Sequence, residues 1–347
     1  MTYSLFFSFF ILLLVFLDLF FSKKDQKKVV NVVLIFLSII LSFKTSQEEY
    51  LRILVQQAYT PFFDWNLFKE KGPLLYIVNE IAYFLYFPNL VHLIFITSTL
   101  LIQNFVIYRI SPYPLLYWAL YFSHYIYYRE VFGIRLALSS ALFLLLVYWI
   151  SENRNPIKKI LASTFSIASH YVGLVSIIFL LADKFFTKKN LLFIIVALIL
   201  IKSFNILDSL FLLAKDLGFT LIYNYAESTY HSFSISFLNI GFFYHFLFFL
   251  LATYFFFWSD KAYFFELILK THILILMFYI IFMDYSIYFF RLSAQISIVQ
   301  PVLFSYIPLL FIKSNRRPIV LFLFFIAILT TWYTFYFSPN NIGELAI

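Results

Sequence analysis

The stretch Tyr127-Tyr128-Arg129-Glu130-Val131-Phe132-Gly133-Ile134-Arg135-Leu136-Ala137 places two arginines and a glutamate within seven residues, at the mouth of a strongly apolar segment. An ionised side chain in lipid costs roughly 2.5–3.5 kcal/mol at a helix centre, so such residues tend to face a wet cavity and bind something there. A guanidinium stays charged, and its fork matches phosphate oxygens two at a time. Arg129 and Arg135 near a membrane surface therefore suit an anionic ligand.

Helical periodicity sharpens this reading. Gly133, Ala137 and Ala141 recur every fourth residue and form a small-residue face for close helix packing. Arg135 lies roughly 160–200° from that face at about 100° per residue, with Ser139 one turn below it. An arginine snorkelling to the interface is the plainer alternative. The neighbouring Arg129 and Glu130 favour a ligand-facing site.

A second polar stripe follows. Ser163, Ser166, His170 and Gly173 fall within about 80° of arc on a helix. Histidine is the side chain best placed to take a proton near neutral pH, so His170 is the candidate general base. A metal role is not expected, because no carboxylate or second histidine stands at ligand spacing. Further along, Arg291 opens a late helix with Gln295 one turn on and Asp284 just before it. Lys71, in Lys69-Glu70-Lys71-Gly72-Pro73, is a charged entrance to a short apolar segment. Glu48, Glu49, Tyr50 and Asp64 share the loop before it. Trp65 and the tyrosine-rich borders read first as interface aromatics. There is no phosphate loop, dinucleotide fingerprint or nucleophile elbow.

These residues need a scaffold, and composition names it. The 347 residues are 63% hydrophobic and 12% charged, with 50 Phe and 27 Tyr. A soluble domain runs about 25% charged. We expect an all-α polytopic membrane protein in a single membrane domain over 1–347, with about 10–12 transmembrane helices including short re-entrant segments. The net charge of +8 comes from short clusters between apolar segments. That is the positive-inside pattern, and it does not point to nucleic acid. No cysteine is present, which excludes disulfides and thiolate metal sites. Residues 3–21 lack a basic leader and a small-residue cleavage site and are expected to stay as a span.

Expected spans are 3–21, 29–43, 90–108, 114–127, 132–150, 191–213, 237–258, 263–283, 287–312 and 319–337. Four basic clusters belong in the cytoplasm: Lys23, Lys24, Lys27 and Lys28; Arg154, Lys158 and Lys159; Lys184, Lys188 and Lys189; Lys313, Arg316 and Arg317. The second and third flank one apolar segment, 157–181, so that segment must turn back. Ser169-His170-Tyr171-Val172-Gly173 at its middle is the expected break. The same parity makes 74–87, opened by Gly72-Pro73, re-entrant. Loops 44–73 and 214–236 then lie outside the cytoplasm, as do Arg129 and Glu130. Non-helical backbone at membrane depth requires protein or a wet cavity around it.

The order Gly133-Ile134-Arg135-Leu136-Ala137-Leu138, a helix, a basic turn at 153–159, Ser169-His170 and an apolar run resembles the EpsG/Wzy-like family of bacterial polysaccharide polymerases. That family carries a Gly/Ile-x-Arg-Gln-x-x-Ala-like motif and, further on, a Phe-His pair. Glu48-Glu49-Tyr50, Lys71-Gly72-Pro73-Leu74-Leu75 and Arg291 fall where the family has comparable features. Two positions depart from it: Leu136 replaces the Gln, and Ser169 replaces the Phe. The likeness runs over about residues 44 to 310.

The resemblance implies a GT-C-like glycosyltransferase in the bacterial cytoplasmic membrane, its active site facing the exterior. It would join undecaprenyl-pyrophosphate-linked oligosaccharide repeat units, with membrane lipid around it and a chain-length regulator as a candidate partner. Arg135, Arg291, Arg129 and Lys71 would hold the pyrophosphate, and Tyr50 the sugar. His170 would be the base, with Glu49 and Glu130 in reserve, and no cofactor or metal is implied. The competing reading is a flippase or other transporter of lipid-linked oligosaccharide, which would more often show internal repeats. None is evident.

Overall fold

The computed structural model describes residues 2–44, 72–126, 133–185, 200, 204, 206–216, 240–258 and 262–333. The described residues are helical, with no strand among them. Among the described residues, five helices are long and apolar enough to cross a membrane: Lys23–Phe43, Leu90–Ile110, Ile134–Ser151, Tyr263–Ile281 and Lys313–Trp332. Shorter apolar helices occupy Ser4–Phe20, Tyr171–Leu181 and Phe242–Trp258. Large apolar side chains such as Phe9, Phe84, Phe257 and Trp258 are exposed, which suits a lipid-facing surface and not an aqueous one. The chain is a multi-pass membrane protein.

Contacts divide the chain into two compact units, Met1–Gly173 with Gln300–Ile347, and Leu174–Val299. Unit 1 holds α1 (Thr2–Phe20), α2 (Lys23–Lys44), α3 (Pro73–Phe84), α4 (Leu90–Ile110), α5 (Pro114–Leu120), α6 (Ile134–Ser151) and α7 (Pro156–Ser169). Unit 2 holds α8 (Leu174–Phe185), α9 (Ile206–Asp216), α10 (Ile240–Trp258), α11 (Ala262–Ile281) and α12 (Ser286–Ile296). The chain then returns to unit 1 with α13 (Gln300–Phe304) and α14 (Arg316–Trp332).

Unit 1 gathers its basic turns at one end. Lys23 at the start of α2 donates to Pro112 O at 2.7 Å, beside the turn that closes α4. The rings of Phe105 and Tyr148 meet edge-on at 6.3 Å, so α4 and α6 finish at that same end. The Arg154–Lys159 turn follows directly. Asp18, near the end of α1, feels the charges of both Arg317 and Lys23. Three of the four basic clusters therefore share a side, the arrangement that the positive-inside rule demands of cytoplasmic turns. Lys188 and Lys189 of the fourth lie outside the described residues.

Inside unit 1, polar side chains tie apolar helices together. Asn104 donates to Asn31 Oδ1 at 2.6 Å and accepts from Trp118 Nε1 at 3.0 Å. Gln103 accepts from Tyr117 OH at 2.8 Å and donates to Tyr121 OH at 3.1 Å. Where lipid is as apolar as leucine, such bonds and close packing hold helices together, at about 0.6 kcal/mol per bond. After α5 the backbone widens into one π-helical stretch, Tyr121–Tyr125. There Tyr117, Tyr121 and Tyr125 stack at 5.9 and 6.1 Å. Tyr125 OH reaches Gln300 at 2.7 Å.

Two segments break where the sequence signals a break. Gly72 adopts φ +90° and Pro73 opens α3 without needing an N–H. The Gly72 α-carbon sits against the end of α7, and the Phe87 ring beyond α3 sits 6.3 Å from Phe43 at the end of α2. Both ends of α3 thus lie in the half of unit 1 away from the basic turns, as a segment that does not cross requires. The 157–181 run breaks after Ser169 into the short 3-10 turn Tyr171–Gly173.

One expected span is interrupted instead of continuous. Residues 287–312 appear as α12, a 3-10 turn Ser297–Val299, α13 and a further 3-10 turn Ile307–Leu310. Pro301 and Pro308 account for this: each lacks a backbone N–H, and its ring clashes with the carbonyl four residues earlier. Hydropathy is blind to that, since proline does not lower it enough to end an apolar run.

Candidate active site

The site grows from α6 and α7. Asn155 caps α7, its Oδ1 accepting from Ile157 N at 2.9 Å, and Pro156 fills the first helical position. The helices then run back to back from the basic turn. Ser139 of α6 and Ser166 of α7 join them: their Oγ atoms lie 2.8 Å apart, and Ser139 Oγ also reaches Ser166 O at 3.0 Å. Both serines are fully buried. One serine from each expected polar stripe therefore faces the other, whereas Gly173, expected on the second stripe, falls in the 3-10 turn that follows α7.

Arg135 lies one turn beyond Ser139, on the same face of α6. His170 lies one turn beyond Ser166, where its N–H makes the last helical bond of α7, to Ser166 O at 3.1 Å. Each is roughly 6 Å past the serine contact at about 1.5 Å per residue. Both side chains are half-buried. Arg135 precedes the end of α6 at Ser151 by roughly 24 Å on the same rise, so the level of the pair is well away from the basic turns.

The re-entrant segment meets this level too. A β-carbon on Gly72 would stand 3.2 Å from Ala168 O and 3.9 Å from Ser169 O. The backbone just before α3 thus packs on the last turn of α7, next to His170. On the other flank, a β-carbon on Gly173 would come within 2.3 Å of the Ser166 carbonyl carbon and 2.4 Å of Ile167 N. The turn after His170 folds back that tightly onto α7.

The remaining candidates divide. Glu49, Tyr50, Lys71, Arg129 and Glu130 lie outside the described residues, as do most of loops 44–73 and 214–236. Arg291 belongs to unit 2, half-buried on α12. One turn further, the fully buried Gln295 donates to Ser176 Oγ of α8 at 3.3 Å. Also in unit 2, Asp208 of α9 accepts from Tyr285 OH, and Phe211 one turn away stacks on Tyr288 at 5.1 Å. Asp208 therefore has a local packing role.

The chain matches the family model of the EpsG family over residues 47–345. The chain belongs to the EpsG family. The match spans nearly the whole stretch over which the motifs resemble that family, and membership suggests a polysaccharide polymerase-type function. No curated protein and no solved structure matches the chain. Within this EpsG-family chain, the motif arginine and the motif histidine are the two residues that the Ser139–Ser166 contact levels.

Sequence reasoning passed over one polar group in unit 2. Lys270 of α11 is buried and pairs with Glu266 at 2.8 Å, and His272, two residues on, is fully buried with Nδ1 2.9 Å from Ile268 O. The signal was available: two basic side chains within an apolar helix cost enough to need a reason. Among the described residues, no three His, Asp or Glu side chains gather as a metal site.

Proposed function

We propose that this EpsG-family chain polymerises undecaprenyl-pyrophosphate-linked oligosaccharide repeat units at the outer face of the bacterial cytoplasmic membrane. One observation carries the reading. Arg135 and His170 stand at one level of unit 1, beside the re-entrant Gly72-Pro73, in the half opposite three basic turns. With those turns in the cytoplasm, that level lies toward the exterior.

A polyprenyl pyrophosphate presents its charge near the membrane surface while its chain stays in lipid. Arg135 is suited to hold the phosphate oxygens with its fork and to offset the charge that grows as the glycosidic bond breaks. Arg129 and Lys71 are further candidates for the same anion, and Tyr50 for the sugar; the resemblance also offers Arg291, which belongs to unit 2. Arginines supply charge stabilisation that needs no bound divalent ion. Single displacement by the acceptor hydroxyl inverts the anomeric carbon.

The test is surface-glycan gel analysis of a deletion strain complemented with the wild-type gene. A ladder that collapses to a single repeat unit on deletion supports the polymerase. Loss of every repeat points instead to a flippase of lipid-linked oligosaccharide.

A further inference from the structure

The position of one proton follows from the turn after α7. The backbone leaves the helix at His170 in an extended conformation, φ −159° and ψ 139°. Val172 N–H then donates to His170 Nδ1 at 3.1 Å, and Gly173 N–H to His170 O at 2.7 Å. A peptide N–H is a donor only, so Nδ1 must offer its lone pair. A neutral imidazole has one N–H and one lone pair. Its proton therefore sits on Nε2, and the Nε2 edge donates. Protonating Nδ1 would break the Val172 bond inside a turn already pressed onto Ser166 and Ile167 by Gly173.

We infer that His170 serves as a hydrogen-bond donor, presenting Nε2–H to an anionic oxygen of a lipid-linked pyrophosphate, and not as the general base. The inference rests on the polymerase reading above and changes the role that the sequence alone suggests for this ring. The acceptor hydroxyl oxygen forms a bond to the anomeric carbon. The bond from that carbon to the pyrophosphate oxygen breaks, and its electron pair stays on the pyrophosphate. The hydroxyl proton passes to a carboxylate, for which Glu49 and Glu130 are the candidates. His170 keeps its proton throughout. Its N–H bond strengthens as charge builds on the leaving oxygen, which is the way a preorganised donor accelerates a reaction. Arg135, at the same level, contributes fixed charge and His170 contributes direction.

The experiment uses the full chain in nanodiscs with lipid-linked repeat units as substrate. His170→Gln keeps an N–H donor and has no basic nitrogen, whereas His170→Glu is a base without a donor. As a donor site, His170→Gln stays within about tenfold of wild type, while His170→Glu falls by about 10²-fold or more. The acidic limb of the pH–rate profile persists in His170→Gln. A loss of about 10²–10⁴-fold in His170→Gln, with activity retained in His170→Glu, is what a base predicts and overturns the inference. Solid-state nitrogen NMR of labelled histidine in the wild-type chain decides the matter even if a variant misfolds, with His170→Asn identifying the signal. A neutral ring with its proton on Nε2 supports the donor, and a proton on Nδ1 overturns it. A wild-type chain that joins no repeat units overturns the polymerase reading, while the NMR result still reports on the ring.

Discussion

Ser139 and Ser166 meet at 2.8 Å between their hydroxyl oxygens, from adjacent helices that run in opposite directions out of one basic turn. Their contact sets the register of α6 against α7. Because Arg135 is four residues before one serine and His170 four after the other, the register also decides that the arginine and the histidine share a level. A shift of one turn in either helix would separate them by about 5.4 Å.

Arg135 is expected to be indispensable for polymer and dispensable for folding. Arg135→Ala should abolish the glycan ladder at near wild-type abundance in the membrane, since the side chain is only half-buried. Arg135→Lys should also fail largely, because an ammonium is a point charge and does not reproduce the two-pronged fork. Ladders of wild-type length from Arg135→Ala, at matched protein level on immunoblots, would refute the site.

Two glycines hold the approach to His170, and each should resist a single methyl group. At Gly173 the added carbon meets backbone at 2.3 Å, which no side-chain rotation relieves. At Gly72 the φ of +90° is itself strained for any other residue, and Ala168 O stands 3.2 Å away. We expect Gly173→Ala and Gly72→Ala each to lower stability by about 1–3 kcal/mol, the range for imposed backbone strain and overpacking. Thermal unfolding of the purified chain in detergent, against the wild-type chain, measures this. An unchanged melting point for Gly173→Ala would mean that the turn does not pack on α7.

Much of this arrangement was legible in the sequence, for identifiable reasons. Apolar length gave away the five helices long enough to cross, and a period near four placed Ser139 under Arg135. Glycine and proline, with the parity of basic clusters, located both short breaks. Periodicity cannot say which stripe faces which, so the pairing of the two serines had to come from the structure. Nor does hydropathy register geometry: the π-helical Tyr121–Tyr125 stretch and the breaks near Pro301 and Pro308 leave average apolarity untouched. The ring's proton was illegible for a similar reason, since it is set by the Val172 N–H, which every residue but proline possesses.

The sidedness of unit 1 can be read by labelling, and the absence of native cysteine removes background. Tyr86, in the turn between α3 and α4, is 92% exposed and lies at the end opposite the basic turns. Lys158 lies in the basic turn, and Lys188 follows the broken segment. An impermeant maleimide added to intact cells should label Tyr86→Cys and should spare Lys158→Cys and Lys188→Cys until the cells are opened. Labelling of Lys158→Cys in intact cells would invert the orientation and move the Arg135 level to the cytoplasmic half. Labelling of Lys188→Cys alone would mean that the segment containing His170 crosses the membrane once.

The ion pair in unit 2 should respond unequally to loss of its two members. Lys270 has 8% of its side chain exposed and Glu266 has 39%, with 2.8 Å between Nζ and Oε1. Glu266→Gln withdraws the carboxylate from an ammonium that water scarcely reaches. Removing a partner of a buried charge costs up to about 3–5 kcal/mol when burial is complete, and Lys270 is close to that burial limit. Lys270→Met removes the buried charge itself, keeps most of the volume, and leaves a carboxylate on the more exposed side of the pair. Its cost should be small, about 1 kcal/mol or less, as for exposed pairs. The double variant Glu266→Gln with Lys270→Met should recover most of what Glu266→Gln loses. Unfolding of the four proteins in a common detergent gives the cycle. Equal losses from the two single variants would show that the pair acts as a surface contact and that Lys270 reaches water by another route.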